Sequence, residues 1–211
     1  MQARLIYVMD PMCSWCWGFA PVFDALAKQA QAAGVSSHLV AGGLRAGTVA
    51  ALEPTTKRYI LEHWQSVLTS TGQPFTFDGA LPDGFVYDTE PACRALVAAR
   101  NLDADSAWPL VKLIQQAFYV GGRDVTQAGV LVELAEQAGL PRIEFAAAFD
   151  SAAEQAATVA DFEWTQNLGI AGFPTVLAEC DGRYALLTNG YQALDQLAPL
   201  LARWLEHNAH A

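Results

Sequence analysis

The chain opens with a run of five apolar residues, Leu5-Ile6-Tyr7-Val8-Met9, too short for a helix and bounded by an acid and a proline. It predicts a buried strand over 4–9. Phe19, Val22, Phe23, Leu26, Ala30 and Ala33 then recur at helical spacing, predicting a helix over 14–33 that stops near Gly34 and is kinked at Pro21. Ser37-His38-Leu39-Val40-Ala41 reads as a second strand, closed by Gly42-Gly43. These pieces form a β-α-β unit, whose crossover is expected to be right-handed.

The next hundred residues carry a helical pattern only. Ile60, Trp64, Val67 and Leu68 make one stripe, ended by Gly72. A loop with Pro74, Gly79, Pro82 and Gly84 follows. Thr89 is the expected N-cap of a helix with Pro91 in its first turn, and Cys93, Leu96, Val97 and Arg100 share a face. Trp108 to Tyr119 and Thr126 to Ala138 are further helices, with Gly121-Gly122 and Gly139-Leu140-Pro141 as breaks. Ala152 to Leu168 is a helix with Ala156, Val159 and Phe162 on one face. Strand signals return at Thr175-Val176-Leu177-Ala178, with Asp181-Gly182 as a hairpin turn and Tyr184-Ala185-Leu186-Leu187 as the partner strand. A last helix carries Leu194, Leu197, Leu201, Trp204 and Leu205. The pattern therefore divides into an α/β unit over 1–45 plus 151–211 and a helical insertion over 46–150.

Composition narrows the function. The 211 residues are 53% hydrophobic and 16% charged, enough for a sizeable core, and the formal net charge is −10. Nucleic acid is thus an unexpected partner, because phosphate binding needs clustered Lys and Arg. No stretch approaches the length of a membrane span, and the first apolar run is too short for a signal peptide. The expectation is a cytoplasmic protein without a membrane partner.

The chemistry is concentrated in Cys13-Ser14-Trp15-Cys16, directly after the first strand and at the start of the first helix. A thiol there meets unpaired backbone N–H groups and the positive end of the helix dipole, which favour the thiolate, the reactive form. Zinc would need four ligands, and neither a second C-x-x-C nor a close histidine pair is present among His38, His63, His207 and His210. Redox chemistry is the reading that fits.

Each other candidate has two readings. Asp10 either tunes the thiols or accepts backbone hydrogen bonds at the strand end. Trp15 either rims a substrate surface or caps the insertion, whereas Trp17 is read as core. Cys93 is read as a buried, inert thiol and Cys180 as an exposed one. His63-Trp64 is read as packing. Arg45 and Arg123 are solvated charges by default, or anion sites for a glutathione carboxylate.

The C-x-x-C after the first strand, the Gly172-Phe173-Pro174-Thr175 segment before a late strand, and the closing β-β-α resemble a thioredoxin-like fold. The inserted helical block resembles the DsbA family within it. Asp10-Pro11-Met12-Cys13-Ser14-Trp15-Cys16-Trp17-Gly18 looks like its cytoplasmic, FrnE-like branch, described as predicted disulfide isomerases.

The resemblance implies that Cys13 is the exposed attacking cysteine and Cys16 the resolving one. It implies that Pro174 is cis and lies against them. It also implies that Phe173, Pro174 and Thr175 form, with Trp15, the strip that meets a substrate. The implied activity is thiol-disulfide exchange or isomerisation on protein, peptide or small-molecule disulfides, with no bound cofactor or metal and with glutathione as a candidate thiol donor. Ser14-Trp15 replaces the Pro-His of strongly oxidising periplasmic members. Two related groups are the alternatives: kappa-class glutathione transferases and hydroxychromene-carboxylate isomerases, which carry serine at the Cys13 position, and non-enzymatic protease adaptors of the YjbH type.

Overall fold

The computed structural model describes residues 3–208; Met1, Gln2 and residues 209–211, His210 among them, lie outside it. Within that span the order is β1 (Ala3–Met9), α1 (Ser14–Ala32), β2 (Ser36–Ala41), five helices α2 (Pro54–Thr71), α3 (Glu90–Leu102), α4 (Ala104–Tyr119), α5 (Ala128–Gln137) and α6 (Arg142–Phe149), then α7 (Ala152–Asn167), β3 (Thr175–Cys180), β4 (Arg183–Asn189) and α8 (Leu194–Asn208). The fold is α/β and thioredoxin-like. The sheet runs β2-β1-β3-β4, with β1 and β2 parallel and the other pairs antiparallel.

Strand alternation divides β1 between two layers. Leu5, Tyr7 and Met9 enter the main core with Phe19, Phe23 and Leu26 of α1. Ile6 and Val8 join Val40 and Leu177 on the opposite face, under Trp164 and Ile170. α1 lies between the sheet, α8 and the inserted helices α2 and α4. Between β2 and α7 an aromatic cluster extends this core, where Trp64 packs against Phe75, Phe118 and Tyr119 at 5.1–5.7 Å between ring centroids.

β2 is an edge strand, and side chains close its outer margin. Asp161 of α7 accepts the Ala41 N–H at 2.8 Å, and Arg100 of α3 donates to the Leu39 carbonyl at 2.6 Å. The two side chains pair with each other at 2.8 and 3.1 Å.

Several expectations are corrected. α6 is an additional helix in Ala-rich sequence that shows no stripe, with only Phe145 and Phe149 buried. α7 turns Thr158 and Thr165 inward and leaves Ala156 and Val159 exposed, while Phe162 packs against the core as expected; the Thr158 hydroxyl is satisfied within the helix by the Glu154 carbonyl at 2.7 Å. Thr89 is the N-cap residue of α3 as expected, but its side chain makes no capping bond; its hydroxyl instead accepts the Arg45 N–H at 3.1 Å. Cys180 is buried rather than exposed, since β3 is flanked by β1 and β4 up to that residue. The hairpin turn is where the Asp-Gly pair puts it, with Asp181 at φ 49° and Gly182 at φ 76°, as a type I′ turn requires.

Candidate functional site

The site forms where β1 ends and α1 begins. Cys13 is the N-cap residue of α1, in extended conformation, and no side chain caps that helix end. The first N–H groups of the helix therefore converge beside its sulfur. The turn before it is fixed by Cys13 N–H donating to the Asp10 carbonyl at 3.0 Å. Across the gap lies the Phe173–Pro174 peptide, which is cis. The Phe173 carbonyl accepts from the Cys13 thiol at 3.8 Å.

The two sulfurs are close enough to interact, and they differ in access. Cys13 is 5% exposed and Cys16 is fully covered. The expectation of an exposed first cysteine is thus corrected: the cis-proline loop folds over the helix end and leaves a narrow opening. Burial pushes the Cys16 thiol well up, followed by its contact with Cys13; the Asp10 backbone N–H opposes this, and the Asp10 charge adds to it.

Asp10 is buried and organises the floor. Its carboxylate accepts Met12 N–H at 2.8 Å, Leu44 N–H at 2.7 Å and the Cys93 thiol at 3.4 Å, and it also bonds Thr89. It therefore does accept backbone bonds at the strand end, and it also faces the thiols. Burial raises its pKa, against these bonds. Cys93 is buried as expected but not isolated: burial and then the Asp10 charge hold its thiol well above the usual range. Tyr87 donates to the Met12 carbonyl at 2.6 Å, tying the insertion to the motif.

The other candidates fall as follows. Trp15 is half-buried and packs on Tyr191, in the loop before α8, at 5.8 Å between centroids. Trp17 is core: it stacks on Tyr119 and donates to the Pro74 carbonyl at 3.0 Å. Phe173 is half-buried over Gly42, where an added Cβ would come within 2.2 Å of its ring. Pro174 is buried. So is Thr175, whose hydroxyl holds the Gly172 carbonyl at 2.8 Å and lies 3.1 Å from Asn189; its side chain is committed to the loop and not offered to a visitor. Trp64 is core, and His63 rests on Tyr59. Arg123 pairs with Glu133 at 2.7 Å. Arg45 lies 5.6 Å over the Tyr87 ring, near the motif. No cluster of three or more metal-ligating side chains occurs among the described residues.

Sequence reasoning missed Gly42, Tyr87 and Thr89 as parts of the site. Gly42 reads only as a strand end. Nothing local marks their partners.

Comparison with known proteins supports this geometry. A family model, the DSBA-like thioredoxin domain, matches residues 4–202. A solved protein from Nitrosomonas europaea, described as a candidate protein disulfide isomerase, is 41% identical and superposes with a TM-score of 0.93 over 98% of this chain and 99% of its own. The cytosolic disulfide reductase DsbM from Pseudomonas aeruginosa is 32% identical, with a TM-score of 0.79 over 97% and 99% of the two chains, and has also been solved with GSH. The ClpXP adapter protein SpxH of Halalkalibacterium halodurans is 24% identical over 79% of this chain, which spans about half (55%) of that relative's length. The helical insertion, the four-stranded sheet and the family match along almost the whole chain lead to one assignment: this protein belongs to the DSBA-like thioredoxin family.

Proposed function

We propose that this chain is a thiol-disulfide oxidoreductase of the cytoplasm that reduces or isomerises protein, peptide or small-molecule disulfides through Cys13 and Cys16. One observation carries the reading. Of two adjacent sulfurs at an uncapped helix start, one keeps an opening to solvent and faces the Phe173 carbonyl of the cis peptide, while the other is sealed behind it. That asymmetry suits a two-step exchange. The Cys13 thiolate attacks a substrate disulfide, one substrate thiolate leaves, and a mixed disulfide forms. The Cys16 thiolate then attacks Cys13 Sγ and releases the second substrate thiolate. One substrate disulfide is reduced as Cys13 and Cys16 are oxidised to a disulfide. Two glutathione molecules return the pair to thiols and leave as glutathione disulfide.

Trp15, Phe173 and the exposed Leu44 provide an apolar rim for a substrate chain, and the backbone beside Pro174 provides hydrogen-bonding groups. Arg45 is the candidate partner for a glutathione carboxylate. The cytosolic reductase at 32% identity supports both the location and the reductive direction, and its complex with GSH supports the thiol donor.

Cys16→Ser tests the reading. It should accumulate mixed disulfides at Cys13 that mass spectrometry detects, and Cys13→Ser should accumulate none. Absence of any adduct, together with wild type that cannot reduce a model disulfide, would reject it. The adapter relatives favour a second reading, a protein that holds a partner without turnover. Stoichiometric binding of one protein, indifferent to Cys13→Ser, would support that instead.

A further inference from the structure

Tyr7 is a polar side chain in the centre of the core. It is fully buried, its ring lies 4.2 Å from Phe23 and 5.7 Å from Phe19, and its hydroxyl makes no well-formed hydrogen bond. An orphaned buried hydroxyl costs free energy comparable to a lost hydrogen bond, so a phenylalanine would pack there at less cost. The buried face of α1 on which Tyr7 packs, through Phe19 and Phe23, carries Cys16 one turn earlier, and the Cys16 sulfur acts on the Tyr7 hydroxyl. As long as Cys16 is a thiol, Tyr7 meets a weak acceptor. Once Cys16 is a thiolate, the same hydroxyl meets a charged acceptor in a buried site.

We propose that Tyr7 is the positioning residue of the resolving cysteine, its hydroxyl donating to Cys16 Sγ as that sulfur ionises and holding the buried thiolate that attacks the mixed disulfide. The inference rests on the exchange reading above and assigns a role within its second step.

The neighbouring groups favour Tyr7 for this task. The Asp10 carboxylate already accepts from Met12, Leu44 and Cys93 and bonds Thr89, and its negative charge opposes a thiolate at Cys16. Only its backbone N–H assists. Tyr7 adds a neutral donor from the β1 side. Burial, and next the Cys16 sulfur, push the Tyr7 phenol well above its ordinary range, so it keeps its proton and remains a donor. In the step itself the Cys16 proton passes to solvent or buffer, the Cys16–Cys13 S–S bond forms, and the bond from Cys13 to the substrate sulfur breaks. Tyr7 gives up no proton.

The experiment is stopped-flow reaction of the reduced protein with the aromatic disulfide DTNB, which releases one coloured thiolate when Cys13 attacks and a second when Cys16 resolves the adduct. Tyr7→Phe keeps the ring contacts and removes one oxygen. It should leave the first phase unchanged, slow the second roughly 10- to 100-fold, the size of one hydrogen bond to a charged group, and move the pH midpoint of the second phase upward. A fluorotyrosine at position 7, a stronger donor of nearly the same shape, should move that midpoint downward, a response that packing alone does not produce. A second phase with wild-type rate and midpoint in both variants would overturn the proposal while leaving the exchange reading intact. Wild type with no second phase that Cys16→Ser abolishes would overturn both.

Discussion

Gly42→Ala is the sharpest probe of how the cis-proline loop is seated. An added Cβ would lie 2.2 and 2.3 Å from two atoms of the Phe173 ring, where ordinary contact starts at 3.4 Å. The ring must therefore retreat by about 1.2 Å or leave its place. The contacted atoms are the outer end of a half-buried ring, so the ring turns out of its seat over Gly42 and loosens the loop whose Phe173 carbonyl accepts from Cys13 at 3.8 Å. Gly42 is outside the positive-φ region, so the penalty is steric and not conformational. Overpacking of this kind costs about 1–3 kcal/mol.

Urea unfolding at pH 7 should show that loss, and the rate of Cys13 attack on DTNB should change several-fold as its carbonyl partner shifts. Gly129→Ala is the control: it lies in α5 with open space around its Cβ position, and should be neutral or stabilising by up to about 1 kcal/mol. If Gly42→Ala unfolds within about 0.5 kcal/mol of wild type, the usual scatter of a surface change, and reacts at the same rate, the packing argument is wrong.

Asp10→Asn turns one acceptor into a donor opposite either Met12 N–H or Leu44 N–H, whichever way the amide is flipped; a loss of about 1–3 kcal/mol in urea unfolding is expected, and an unchanged midpoint would refute the carboxylate's role as the floor. The His38 pKa is lowered to about 4, by burial first and then by the Arg100 and Arg4 charges, with Asp161 and Glu179 opposing. The unfolded chain therefore takes up a proton near pH 6.5 that the folded chain refuses until about pH 4, and stability falls as pH drops through that window. Discounted for the partial exposure of the ring, the loss is about 1 kcal/mol at pH 5; His38→Gln should flatten that part of the stability profile, and an equal slope in both proteins would refute the assignment.

The features the sequence reveals are the local ones. Leu5 to Met9, the α1 stripe, the Asp181-Gly182 turn and the spacing of Cys13 and Cys16 are each set by residues a few positions apart, so periodicity and turn chemistry expose them. The cis form of Phe173–Pro174 came only from resemblance. The floor of the site was hidden because it joins distant segments: Asp10 with Leu44 and Cys93, Gly42 with Phe173, Tyr7 with Cys16. α6 was hidden for another reason, since Arg142-Ile143-Glu144-Phe145-Ala146-Ala147-Ala148-Phe149 has no apolar stripe and leaves Ile143 80% exposed. α7 misled in part, because its fully buried residues are two threonines, and of the expected stripe only Phe162 packs against the core.

The Arg100–Asp161 pair has a consequence for the company this protein keeps. Exposed backbones look for a strand to join, and an open sheet margin is an invitation to them. Here the guanidinium and the carboxylate occupy two of the slots along β2 that such a visitor would need. Stray strands are thereby turned away from that side of the sheet, and a variant with both side chains removed would be the one to watch for clumping.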